Sequence, residues 1–149
     1  VIIMNDEYYM KKALEQAQIA YNLDEVPIGS IIVKNNQIIA SAYNKKEINN
    51  IATHHAEILA INEACQKLNT WHLEDCTLYT TVEPCMMCTG AIIQSRISKV
   101  VYGTNNYVFG YLTKINNHKI EIKQGILKEE CLNILSKFFQ EQRNTKEKM

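Results

Sequence analysis

Four residues combine the types and spacing that metal chemistry needs: Cys85 and Cys88 in "EPCMMC", and His55 and Glu57 in "THHAEI". Cysteines at i and i+3 are neighbours within one helical turn, and Zn–S bonds of about 2.3 Å need two sulfurs that close. Pro84 is the residue type suited to a first helical position. That predicts both thiols in the first turn, where the helix dipole and free N–H groups favour thiolates. A C-x-x-C pair also serves redox sites and structural zinc, but redox use would place it just after the first strand of a βαβ unit. His55, at the start of the preceding helix, offers a third ligand. Two thiolates cancel the charge of Zn²⁺ and a neutral imidazole adds none. Three protein ligands then leave a fourth position for water, whose pKa the metal lowers towards about 7. Glu57, a negatively charged base, is expected beside the metal rather than on it, moving that water's proton.

The competing reading is a closed structural site with a fourth protein ligand, from His54, His72, Cys65 or Cys76. Cys65 lies about 15 Å from His55 along its helix at 1.5 Å per residue, too far to share an ion. Cys76 begins a strand whose other end approaches the metal, roughly 20 Å away. His54 alone is near enough, yet adjacent helical residues point about 100° apart and both imidazoles rarely reach one ion. His55 is therefore the expected ligand. Cys65, Cys76 and Cys131 read as small buried hydrophobes, and His118, in "INNHKI", as a solvent-exposed side chain. Asn44 reads from its position alone as either a turn residue or a functional one. Tyr107, Phe109 and Tyr111 alternate in "NNYVFGYL". They can stack on an unpaired base, but packing in the core or against a second subunit is the expected use.

The elements that must hold these residues alternate between helix and strand. "DEYYMKKALEQAQIAY" puts Tyr9, Ala13, Ala17 and Ala20 at helical spacing, with Asp6 as the cap. "VPIGSIIVKNNQIIASAYN" reads as a hairpin of two β-branched runs around Lys34, Asn35, Asn36 and Gln37. "HAEILAINEACQKLN" is a helix with Ile58, Ile61, Ala64, Cys65 and Leu68 along its apolar stripe. "CTLYTTV" is a strand, "PCMMCTGAIIQS" a helix, and "ISKVVYG" and "KIEIKQG" two further strands. The last helix, "KEECLNILSKFFQEQR", gathers Leu127, Cys131, Ile134, Leu135 and Phe138 on one face. Such alternation implies an α/β layered domain around a mixed sheet of about five strands.

The chain of 149 residues is one domain's worth, with 46% hydrophobic and 21% charged residues. Lys plus Arg and Asp plus Glu each total 16, a zero net charge that argues against an extended nucleic-acid-coating surface. No run approaches the ~18 apolar residues of a membrane helix. "VIIM" is too short and uncharged at its flank for a signal peptide, and Met4 is a candidate natural start, with residues 1–3 an extension. A cytosolic location is expected, which makes the five cysteines metal ligands or buried thiols rather than a disulfide framework.

His55, Ala56 and Glu57 followed by Pro84, Cys85 and Cys88 match the H-x-E…P-C-x-x-C signature of zinc nucleobase deaminases. Nearly end to end the chain resembles the bacterial tRNA-specific adenosine deaminases, within the cytidine and deoxycytidylate deaminase superfamily. The likeness runs through "EVPIGSIIV", "AYN", "HAEI", "CTLYTTVEPCMMCTGAIIQSRISKVVYG", "GIL", "EEC" and the closing "FF" helix. The resemblance implies a three-layer α/β/α cytidine-deaminase-like fold and hydrolysis of adenosine to inosine at the wobble position of a tRNA anticodon, of tRNA-Arg type. It implies one zinc per subunit at His55, Cys85 and Cys88, with Glu57 as proton shuttle and Asn44 hydrogen-bonded to the flipped-out nucleotide. It also implies a homodimer, with the anticodon loop across both subunits and Lys45, Lys46, Lys114, Arg143, Lys146 and Lys148 as contact bases.

Two places depart from that pattern. After "VVYG" the family usually carries an acidic residue, then a lysine and glycines. Here the segment is shorter and reads "TNNYVFGYLTKI", with Asn106 where an aspartate is expected. His54 stands where the family usually has a small residue. The altered loop bears on RNA affinity and selectivity, and it keeps open a zinc deaminase of a free base or nucleoside, of cytosine or guanine type. A zinc-stabilised RNA-binding module without catalysis is the third reading, against which Glu57 argues, because a purely structural site has no use for that carboxylate.

Overall fold

The computed structural model describes residues 5–115 and 119–147. The candidate start at Met4, His118 and the tail base Lys148 lie outside them. Helix α1 (Asp6–Asn22) buries Tyr9, Met10, Ala13, Ala17 and Ala20. Its cap is Asn5, whose side chain accepts from Tyr8 N, not Asp6. The Asp6 carboxylate instead accepts from Lys123 Nζ at 2.6 Å and from the Tyr79 hydroxyl at 2.7 Å. Strands β1 (Gly29–Lys34) and β2 (Gln37–Tyr43) form the hairpin. Asn35 and Asn36 turn it with φ of 51° and 60°, a left-handed conformation that asparagine tolerates.

A short helix, α2 (Lys46–Asn49), follows without a sequence signal that announced it. Then come α3 (Ala56–Leu68), β3 (Cys76–Val82), α4 (Met86–Ser95), β4 (Lys99–Thr104), β5 (Glu121–Gln124) and α5 (Lys128–Glu147). The sheet order is β2-β1-β3-β4-β5. β1 runs antiparallel to β2 and β3, while β3, β4 and β5 are parallel. The sheet is mixed, as expected, because a tight hairpin reverses the chain whereas α4 carries it back across the sheet.

Both faces of the sheet are covered. Ile31, Val33, Tyr79 and Val101 pack with Tyr9, Met10 and Ala13 of α1 and Cys131 of α5. Ile32, Leu78, Val100 and Tyr102 pack on the opposite face with Ala60, Ile61 and Ala64 of α3 and Ile92 of α4. Alternate strand residues thus serve opposite layers, and the central strands β1, β3 and β4 are buried along nearly their whole length, whereas β5 at the edge is exposed at every position. The architecture is three-layer α/β/α. Gly29 lets β1 approach α1 closely, since a Cβ there would collide with Ala13 O and Ala17 N. Of the face assigned to the last helix, Cys131 and Phe138 are buried and Ile134 and Leu135 half-buried, while Leu127 precedes the helix with a left-handed φ of 53° and is not on that face. No helix among the described residues is long and apolar enough to cross a membrane. The N-termini of α3 and α4 converge at the C-terminal end of β3, the end of a parallel strand where α/β sheets generally place their chemistry.

Candidate active site

His55 and Cys85 are the N-cap residues of α3 and α4, both with extended backbone, and neither makes a side-chain capping hydrogen bond. Pro84 precedes the cap instead of opening the helix. Cys85 is therefore the cap and Cys88 the third helical residue. This placement turns both sulfurs towards His55: Cys85 Sγ lies 3.7 Å and Cys88 Sγ 3.5 Å from His55 Nδ1. Among the described residues these three form a cluster able to hold a metal, their ligand atoms all within 4.8 Å of one another.

The donor set fits a tetrahedral zinc ion. Bonds of about 2.3 Å to sulfur and 2.0–2.1 Å to nitrogen put sulfur and nitrogen ligands about 3.6 Å apart, which is the spacing found. The protonation pattern agrees. The Cys88 thiol donates to Cys85, and with His55 it holds the Cys85 thiol down to about 4. Cys88 is pushed up, first by that same bond and then by burial. His55 is raised, first by its bond to Cys85. A cation could replace the proton these groups share, and metal binding at thiols releases protons for that reason.

Glu57, one residue into α3 from its first position, is 4% exposed. Its carboxyl group is within hydrogen-bonding reach of Cys88, and burial raises it to about 7 despite the nearby His55. A carboxyl group that changes charge near neutral pH can both accept and donate a proton there.

The remaining candidates fall around this centre. Asn44 is buried, with its Oδ1 accepting from Lys46 N at 3.3 Å and its Nδ2 donating to Val26 O at 3.4 Å. It thus acts as a turn residue at the entry to α2, and Lys45 N, donating to His54 O at 3.1 Å, ties that turn to the His54–His55 segment. The side chain of His54 points to Asn49, whose Nδ2 donates to His54 Nδ1 at 2.9 Å, leaving it out of the metal cluster. Cys65 is half-buried rather than buried, Cys76 and Cys131 are buried, and none joins the cluster. Tyr107 and Phe109 are 83% and 71% exposed, so the core does not take them. The rings stand out because a turn, not a strand, carries them.

Two carboxylates escaped the sequence reading. Glu25, 1% exposed, accepts from Glu47 N at 3.1 Å and Ile48 N at 2.6 Å, and so caps α2 from a distant loop. Glu83, directly before Pro84, is 4% exposed and binds the segment that follows β4. The available signal was a charged residue closing an apolar strand; its partners, more than twenty residues away, left no local trace.

Comparison with known proteins decides the family. Residues 4–143 match the family model of MafB19-like deaminases. A tRNA-specific adenosine deaminase of Bacillus subtilis (strain 168) is 46% identical, over 95% of this chain and 92% of its own length. The chain belongs to the tRNA-specific adenosine deaminase family. Another member, from Aquifex aeolicus (strain VF5), is 42% identical over 95% of this chain and 98% of its own. Among solved structures, a chain from studies of A-to-I editing by tRNA:A34 deaminases at the wobble position of transfer RNA superposes with a TM-score of 0.82. It is 34% identical and covers 86% of this chain and 99% of its own. A guanine deaminase from Bacillus subtilis is also 34% identical, with a TM-score of 0.67 and 95% of each chain covered. The family carries the three-layer fold found here, and its members are hydrolases.

Proposed function

We propose that the chain forms one zinc-dependent deaminase domain that converts adenosine to inosine at the wobble position of a tRNA anticodon. One observation carries the reading: a His–Cys–Cys cluster with zinc spacing and a buried carboxyl group against it, in a chain 46% identical to a tRNA-specific adenosine deaminase. His55, Cys85 and Cys88 would hold the ion. When bound, zinc supplies Lewis acidity, which brings the pKa of a coordinated water from about 15.7 towards 7. Glu57 takes a proton as water adds to C6 of adenine and delivers it to N1; it then takes the proton of the new C6 hydroxyl and gives it to the N6 amine, which leaves as ammonia while the C6 carbonyl forms. Burial of Glu57 excludes bulk water from that exchange and keeps its affinity for a proton in the neutral range. Asn44 is assigned to the incoming nucleotide, which it would meet from the turn that faces His54.

An unpaired anticodon base is reached by extruding it from its stack, and such bases are recognised by pocket shape and edge contacts. Lys45, Lys46, Lys114, Arg143 and Lys146 are the bases assigned to the surrounding phosphates. A homodimer is part of this reading. α4 carries no charged side chain along its length, and Met86 at its start is 66% exposed, a surface suited to a second subunit.

Substrate size tests the assignment. The purified protein is offered a tRNA-Arg anticodon stem-loop, free adenosine, cytosine and guanine, with Glu57→Ala as control. Inosine in the stem-loop alone is the expected result. Turnover of free guanine with the RNA untouched would move the chain to the activity of the guanine deaminase it also resembles.

A further inference from the structure

Beside the metal cluster the chain holds three consecutive apolar side chains in water: Tyr107, Val108 and Phe109 are 83%, 75% and 71% exposed. Loose loops often expose such residues, but this one is firmly built. Asn106 Oδ1 accepts from Val108 N at 3.3 Å and Phe109 N at 2.9 Å, and Asn106 O accepts from Gly110 N at 2.9 Å. The buried Glu83 holds the turn from below. It accepts from Asn105 Nδ2 and Asn106 N at 3.3 Å each, from Thr113 N at 3.2 Å and from Thr113 Oγ1 at 2.7 Å. Gly110 fits because a Cβ there would run into Asn106 O and the Glu83 carboxylate.

The turn is also fixed to the catalytic elements. Gly110 is bridged to Cys85, and Tyr111 N donates to Pro84 O at 3.0 Å. Phe109 is thus one residue, about 3.8 Å of chain, from the backbone paired with a proposed metal ligand. Residues 104–115 contain no carboxylate and one lysine, Lys114, so nothing in the segment repels phosphate. When an adenosine leaves its stack for a pocket at this rim, the bases on either side lose a stacking partner and lie one nucleotide step away. Ring faces presented there can replace what they lose.

We propose that Tyr107 and Phe109 form a rigid stacking platform for the unpaired bases that flank the target adenosine. The chain would then grip its RNA loop by ring faces. The proposal rests on the tRNA reading above and adds the means by which this chain holds the loop.

The test uses the full chain with its metal and the anticodon stem-loop. The Tyr107→Leu/Phe109→Leu double variant removes both rings but keeps apolar bulk. It is expected to raise KM for the stem-loop by roughly 10-fold or more, with kcat moving much less. Phe109→Trp, which keeps a ring, is expected to bind like the parent. Abasic nucleotides on both sides of the adenosine should raise the parent's KM similarly and add nothing further to the Leu variant. Zinc content and sedimentation should be unchanged. An unaltered KM in the Leu variant, or a KM loss accompanied by dissociation of a dimer, overturns the platform while leaving the tRNA reading intact. Turnover of only a free base by the parent overturns both.

Discussion

The N-terminus of α1 and those of α3 and α4 share a backbone plan but put it to opposite uses. At α1, Asn5 has extended backbone and its side chain accepts from Tyr8 N, satisfying one of the free amides that every helix start leaves. At α3 and α4 the same position is occupied by His55 and Cys85, with extended backbone again but no side-chain cap. A histidine and a cysteine are poor caps and good ligands. The chain forgoes roughly 1 kcal/mol at each of two helix starts and gains three converging donors in return. An end with ordinary capping reports stability, and an end with uncapped ligand residues reports function.

Four substitutions test this contrast, in decreasing order of expected effect. Cys88→Ala removes a proposed ligand without touching a cap. Bound zinc and deamination are both expected to disappear, as read by metal analysis and inosine formation; retention of stoichiometric zinc would place the metal elsewhere. His55→Asn exchanges a proposed ligand for a good cap. Zinc should fall to trace levels while the metal-free protein becomes more stable by about 0.5–1 kcal/mol in urea. Loss of stability with metal absent would mean that His55 supports α3 in some way other than capping.

Asn5→Ala is the converse change, with an expected loss of about 1 kcal/mol and full activity per folded molecule. A fall in kcat there would link the two kinds of helix end. The smallest effect is expected at Asp6, next to that cap. Burial raises the Asp6 carboxyl, but the Lys123 ammonium and Tyr79 hydroxyl outweigh it and hold its pKa below the ordinary range. A lowered carboxylate contributes stability that is present above its unfolded pKa, about 3.9, and is lost as pH falls through the folded value. Asp6→Asn should therefore lose stability at neutral pH and show a flatter decline below about pH 4; an unchanged acid limb would show that the bridge contributes nothing.

Most of this was legible where the information is local. β-branched runs such as "SIIV" and helical stripes such as Tyr9, Ala13, Ala17 and Ala20 gave the element order. The spacing of Cys85 and Cys88, with His55 and Glu57 two apart, gave a cluster whose members the fold brings together. What was not legible depends on contacts between distant segments. α2 is four residues long and is capped by Glu25, 22 residues before Glu47 in the chain. Glu83 reads as the end of a strand until the segment 105–113 closes over it. Asp6 reads as a helix cap because the type is right. Asn5, one residue earlier, takes the cap, and only the fold shows that Lys123 and Tyr79 await the aspartate. Tyr107 and Phe109 alternate as packed side chains can, and the Asn106 turn, which leaves them exposed, depends on Glu83 more than twenty residues earlier.

On the proposed function, the two uncapped helix starts build a metal centre with Glu57 beside the ion, not on it. The most direct measurement determines zinc content and single-turnover inosine formation on the same preparations of the parent and Glu57→Gln. Equal zinc in both and a fall of about 10²–10⁴-fold in the rate for the variant are expected. Zinc lost together with activity would make Glu57 a ligand, and activity retained would remove it from the proton's path; either result would overturn the proposed role of Glu57.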